Sequence, residues 1–125
     1  MLKKILLKGA REGLGRIIVL LDLVTRPKKI QRSVEEQSKV DDETQRLSLY
    51  QFYACPFCVK TRRAVHRLNI PLAFRDAQKE PHREQLKSEA GKVKVPCLRI
   101  EEEGAVRWMY ESNEIIRYLD QRFSP

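Results

Sequence analysis

The stretch "LSLYQFYACPFCVKTRRAVHRLN" runs from Leu47 to Asn69. Its first seven residues, Leu47–Tyr53, are apolar and aromatic, which suits a buried strand. The period then switches to that of a helix, with Val59, Ala64, Val65 and Leu68 on one face. Pro56 falls in the first helical turn, where its missing N–H costs nothing. Pro71 closes the helix by about Asn69. "PLAFRDA" (71–77) reads as a second strand. A strand, a helix and another strand in this order require a parallel pair joined by a right-handed crossover.

The remainder completes the pattern. Pro81 opens a second helix, "PHREQLKSEAG", which Gly91 ends as a C-terminal cap. "PCLRIE" and "AVRWMYE" are two strands joined by a tight turn through Glu102–Gly104, a β-hairpin. "SNEIIRYLDQRF" is an amphipathic helix with Ile115, Ile116, Leu119 and Phe123 on one face and Ser112 as its N-cap. The order βαβα followed by ββα predicts an α/β fold: a four-stranded mixed sheet flanked by three helices, with a further helix at the N-terminus.

Charge divides the chain. Residues 1–33 hold nine Lys and Arg against Glu12 and Asp22, a net +7 of the total +8. The basic character therefore belongs to the N-terminal segment, and no nucleic-acid partner is expected of the domain. We divide the chain into a basic amphipathic leader (1–32), a polar segment (33–46) and a domain (47–125). In residues 1–26, Leu2, Ile5, Leu6, Leu14, Ile17, Ile18, Leu20, Leu21 and Val24 recur at helical steps, with Lys4, Lys8, Arg11 and Arg16 mostly opposite. Pro27 ends this helix. Its longest uncharged apolar run, Ile17–Leu21, falls far short of a membrane span. Three roles stay open for it. It lies on an anionic membrane surface; it packs on the domain or on a second copy, which Gly9-x-x-x-Gly13 would permit; or it is an organelle-targeting peptide. The strongly charged 33–46 stretch reads as a frayed helix or a solvated tether.

Three cysteines are too few and too odd in number for a secreted disulfide framework, so a reducing, cytoplasmic setting is expected, peripheral to a membrane if the leader binds one. Cys55 follows a strand and precedes a helix. Free N–H groups of the first helical turn favour a thiolate there, and thiolate is the nucleophile of disulfide exchange. Lys60, Arg62 and Arg63 add positive charge. Cys58 sits one turn further on, more buried, placed to attack a mixed disulfide on Cys55. Phe57 offers a flat apolar surface between them. Half a zinc site and two incidental core cysteines are the competing readings. A zinc site needs a second spaced pair, and Cys97, His66 and His82 do not make one, so no metal ligand is assigned. In "KVKVPCL" a cis Val95–Pro96 bond would turn the preceding backbone outward toward an extended ligand. Cys97 reads as a small core residue.

The "CPFC" loop after a strand, "KVPCL" about forty residues on and "YESNEIIRYL" at the last helix together resemble glutaredoxins and the N-terminal, thioredoxin-like domain of glutathione transferases. The likeness covers 47–123, and its wording is nearest the glutaredoxin-like domain of type 2 membrane-associated prostaglandin E synthases. The resemblance implies a thioredoxin-like fold and glutathione as co-substrate. It implies a dithiol oxidoreductase that reduces protein disulfides or glutathionylated proteins, with Cys55 and Cys58 catalytic. Val95 beside Pro96 would pair with the glutathione backbone, and Glu111 and Ser112 would hold its γ-glutamyl end. Tyr53 stands where many glutaredoxins carry a lysine, leaving Arg62, Arg63 or Lys94 for the glycyl carboxylate. With no helical domain after Pro125, conjugation of xenobiotics is not expected, nor is prostaglandin isomerisation. A non-catalytic glutathione- or iron–sulfur-binding adaptor at a membrane is the alternative.

Overall fold

The computed structural model describes residues 2–125, with side chains described from Gly13 onward. The leader residues Leu2, Lys4, Ile5, Leu6, Lys8, Gly9 and Arg11 singled out above have side chains outside the described residues. Strand β1 (Leu47–Gln51) lies inside a four-stranded sheet of order β2-β1-β3-β4. It runs parallel to β2 (Ala73–Asp76), Ser48 opposite Ala73, and antiparallel to β3 (Cys97–Glu102), Leu49 opposite Leu98. Strand β4 (Ala105–Met109) closes the hairpin with β3. All of β1 is buried because both sheet faces are covered, which is why its sequence is a run and not an alternation. The strand stops at Gln51, two residues short of the expected end, as the chain turns toward the cysteines. In the hairpin turn Glu103 and Gly104 both have positive φ, 46° and 78°, matching the twist of the flanking strands.

Leu47 and Leu49 pack with Leu98 and Ile100 against helices α3 (Pro56–Leu68) and α5 (Ser112–Phe123), whose Leu68, Ile115 and Leu119 complete the main core. Tyr50 and Cys97 point to the other layer, where Leu86 covers them. Leu86 begins a π-helical turn, Leu86–Ala90, that continues the short helix α4 (His82–Gln85) up to Gly91 at φ 101°. This is the thioredoxin-like α/β arrangement, with the expected three flanking helices and helix α1 (Leu2–Thr25) before them.

One more helix, α2 (Val34–Thr44), occupies the stretch whose sequence allowed a frayed helix or a tether. The Ser33 side chain caps it, accepting from the Glu36 N–H at 3.2 Å. Its polarity is spent on helix ends. Gln37 donates to the Asn69 carbonyl at 2.9 Å, and Arg32 donates to the carbonyls of Asn69 and Phe123 at 3.3 and 2.7 Å. These are the last carbonyls of α3 and α5, which otherwise lack intrahelical partners.

Helix α1 lies against α3. Val19 is buried, and the Asp22 carboxylate is buried between Arg26 and Arg63, 3.2 Å from each. Gly15 meets the chain just before Cys55: a Cβ there would stand 2.8 Å from the Ala54 carbonyl oxygen. Docking uses one face only, and Leu14, Ile17, Leu20, Leu21 and Val24 each remain more than half exposed. No described helix is long and apolar enough to cross a membrane.

Candidate thiol site

The β1–α3 loop delivers Cys55 to the N-cap of α3, with extended backbone (φ −73°, ψ 126°) and Pro56 as the first helical residue. Its carbonyl accepts the Val59 N–H at 2.9 Å and its own N–H donates to Phe52 O at 3.3 Å. This closes the turn and leaves the Cys55 side chain at the mouth of the helix, half-buried. Cys58, one turn on, is fully buried, and its sulfur accepts the Phe52 N–H at 3.5 Å. Burial is the main cause that pushes the Cys58 thiol up to about 12, with the Phe52 hydrogen bond opposing it and the neighbouring Cys55 adding to it. All three cysteines are free thiols.

Arg62 holds the loop from beneath. Its guanidinium donates to Gln51 Oε1 at 2.8 Å and to the Tyr53 carbonyl at 2.6 Å, and it lies under the Tyr53 ring, 5.2 Å from the centroid. Arg63 turns the other way, onto Asp22 and Thr25 of α1. Both guanidiniums are thus engaged by the protein itself, and i+4 spacing from Cys58 puts Arg62 on the buried side of α3. Lys94 is exposed but paired with Glu111 at 2.7 Å, and that ion pair holds the Glu111 carboxyl below its usual range.

Tyr53 and Cys55 share the loop, Phe57 and Cys58 follow in the first turn of α3, and Tyr53 and Phe57 are both exposed. Val95–Pro96 is cis, and Pro96 is buried with Val95 half-buried beside it. The Lys94–Glu111 pair links this cis-proline turn to the start of α5. A Lys60–Asn113 hydrogen bond ties the start of the second turn of α3 to the first turn of α5, so Glu111 and Ser112 lie at the same end of the molecule as the cysteines. Ser112 is the first residue of α5 and not its cap. Glu111 takes the cap position with φ 66°. Cys97 is buried beside Tyr50 and Leu86, and burial pushes its thiol up to about 12 as well. It belongs to the opposite core layer from α3 and Cys58. Among the described residues no cluster of ligands suited to a metal is present.

A cleft of about 650 Å³ opens beside Cys55. Leu14, Arg16 and Ile18 of α1 form one wall, and Phe52, Tyr53 and Pro56 face them. The contribution of α1 was not foreseen from sequence. The one available signal was Gly15, a glycine on an otherwise side-chain-bearing helix face next to Ile18 and Val19.

The family model of the glutathione S-transferase N-terminal domain matches residues 49–125. Among solved structures, a maleylacetoacetate isomerase from Anaeromyxobacter dehalogenans 2CP-1, crystallised with bound dicarboxyethyl glutathione and citrate, is 22% identical with a TM-score of 0.48, over 62% of this chain and 36% of its own. The alkylhydroperoxide reductase component AhpF of Enterococcus faecalis (V583) is 18% identical with a TM-score of 0.42, over 87% of this chain and 53% of its own. The chain thus spans about a third of the first and half of the second. No curated protein matches the chain significantly.

Proposed function

Because this chain belongs to the glutathione S-transferase N-terminal domain family, we propose that it is a glutathione-dependent thiol–disulfide oxidoreductase. Cys55 is its nucleophile and Cys58 its resolving thiol. The observation that carries this reading is the pairing of a half-exposed sulfur at a helix mouth, open to a cleft, with a buried sulfur one turn behind it. The Cys55 thiolate attacks a glutathione mixed disulfide at the glutathione sulfur. A bond forms between Cys55 and that sulfur, and the other thiol leaves and takes a proton from water. A second glutathione thiolate then releases oxidised glutathione and restores Cys55. Where the substrate is a protein disulfide, Cys58 attacks the mixed disulfide on Cys55 and two glutathiones reduce the resulting pair.

Glutathione fits the surface from the cis-proline turn to α5. The Val95 backbone pairs with its cysteinyl unit. Ser112 and the free N–H groups opening α5 take the γ-glutamyl carboxylate, and Glu111 takes the ammonium. Tyr53 and Phe57 flank the sulfur. With Arg62 and Arg63 committed elsewhere, Lys94 is left for the glycyl carboxylate, exchanging its pairing with Glu111 for the ligand.

The test is glutathione-coupled reduction of a small glutathione mixed disulfide. Cys55→Ser abolishes turnover, and Cys58→Ser retains most of it, because that route needs one cysteine. Turnover by Cys55→Ser equal to wild type would overturn the assignment.

A second role for α1 is favoured by the exposed apolar side chains of Ile17, Leu20, Leu21, Leu23 and Val24, with Arg16 on the same helix and Lys28 and Lys29 following it. We propose that this face rests on an anionic membrane surface in the cytoplasm. The likeness in wording to type 2 membrane-associated prostaglandin E synthases agrees with this. Vesicle sedimentation should show binding that needs anionic lipid and weakens with salt. Binding indifferent to both would count against it.

A further inference from the structure

We propose that the cleft between α1 and the Cys55 loop binds the apolar S-substituent of a small mixed disulfide of glutathione, so that α1 selects the substrate. The inference rests on the oxidoreductase reading above and specifies its substrate class.

A disulfide carries two substituents, and a thiol that attacks one sulfur must accommodate both. The surface assigned to glutathione comprises Lys94, Val95, Pro96, Glu111 and Ser112, with Tyr53 and Phe57 flanking the sulfur. Of these only Tyr53 lines the α1 cleft, so the two regions share the Cys55 loop and otherwise use different residues. The second substituent therefore has a place of its own. At about 650 Å³ the cleft is of the size that takes a small organic group. Leu14 and Ile18 face Phe52 and Pro56 across it, so most of the contact it offers is apolar. Arg16 and Gln78 supply polar lining.

The wall is fixed. Gly15 packs its backbone directly on Ala54, the residue before Cys55, and any larger side chain would drive the helix off. Seven residues further on, buried Asp22 pins α1 to Arg63 of α3. A helix held at two points next to the sulfur makes a slot on that side of Cys55 and not an open face. A slot suits a low-molecular-weight thiol better than the surface of a folded protein. In the step itself, Cys55 bonds to the glutathione sulfur and the S–S bond breaks. The apolar thiolate leaves within the α1 cleft and takes its proton from water. Glutathione is the reductant that completes the cycle.

The experiment compares kcat/KM of the full chain, with glutathione as reductant, for two purified probes: the glutathione mixed disulfides of 2-mercaptoethanol and of benzyl mercaptan. We expect the benzyl probe to be preferred by about tenfold or more, the discrimination that an apolar pocket gives. Leu14→Ser and the double variant Leu14→Ser/Ile18→Ser should bring the ratio down toward one. Leu14 is already more than half exposed, so its single substitution keeps the fold in place. Val34→Ser, at an exposed position on α2, should keep the wild-type ratio. A wild-type ratio near one, or a preference that survives both cleft variants, overturns the proposal while leaving the oxidoreductase reading intact. Failure to turn over either probe overturns both.

Discussion

Burial separates the two sulfurs of the loop. Cys58 has no exposed surface and a thiol pushed up to about 12; Cys97, in the other core layer, shares both properties. Buried neutral thiols do not alkylate, so iodoacetamide at about pH 8 should label Cys55 alone in the native protein, and all three cysteines after unfolding. Native labelling of Cys58 at the rate of Cys55 would contradict the assignment of roles. The same burial makes stability depend on pH. Both thiols are raised in the folded state above the roughly 8.5 of an unfolded cysteine. Their contribution is complete below that value and is lost as pH rises from it toward about 12. Urea midpoints should therefore fall across this alkaline range, and Cys58→Ala should flatten part of the decline. Arg62 is the other decisive residue. Its hydrogen bonds to Gln51 and to the Tyr53 carbonyl set the shape of the loop. Arg62→Ala leaves the buried Gln51 acceptor and the part-buried Tyr53 carbonyl unpaired and should cost about 2–4 kcal/mol by urea unfolding, together with turnover. Arg62→Lys should not rescue it, because an ammonium cannot span both acceptors as the guanidinium fork does.

Elements with a one-sided local pattern were legible in the sequence. Continuous burial made β1 a run; Pro56 marked the start of α3; Gly91 marked the end of the second helical segment; the Ile115–Leu119–Phe123 stripe made α5. Less legible were contacts made by polar groups at a distance. Helix α2 looks solvated until Gln37 and Arg32 meet the carbonyls of Asn69 and Phe123, more than thirty residues away in sequence. In α1 the apolar residues ring more than one face, so periodicity alone could not say which face would dock. The docking face proved to hold Gly15, Val19 and Asp22, and the last is a buried carboxylate that hydropathy would assign to solvent. Asp22→Asn exchanges charge-assisted bonds for neutral ones and should destabilise the docked helix by about 1–3 kcal/mol. The readout is faster proteolytic cleavage in the 26–33 connection between α1 and α2. An unchanged cleavage rate would mean that the ion pairs do not hold α1.

At the scale of the whole molecule, the main core joins β1, β3, α3 and α5, and the thiol loop and the start of α5 are mounted on it together. Leu119 is fully buried in that core. Leu119→Ala should cost about 2–5 kcal/mol in a single cooperative transition, and the Trp108 fluorescence transition should shift by the same amount as the far-ultraviolet circular dichroism. Separate transitions would mean that the two core layers unfold independently. The architecture thus holds one accessible sulfur between a surface suited to glutathione and an apolar wall supplied by α1. Mass spectrometry with peptide mapping after incubation of the full chain with oxidised glutathione tests this most directly. The account predicts a single glutathione adduct on Cys55 in the Cys58→Ser variant, and in wild type an adduct that passes on to a Cys55–Cys58 disulfide. An adduct on Cys58 or Cys97 with Cys55 unmodified, or no adduct at all, would contradict it.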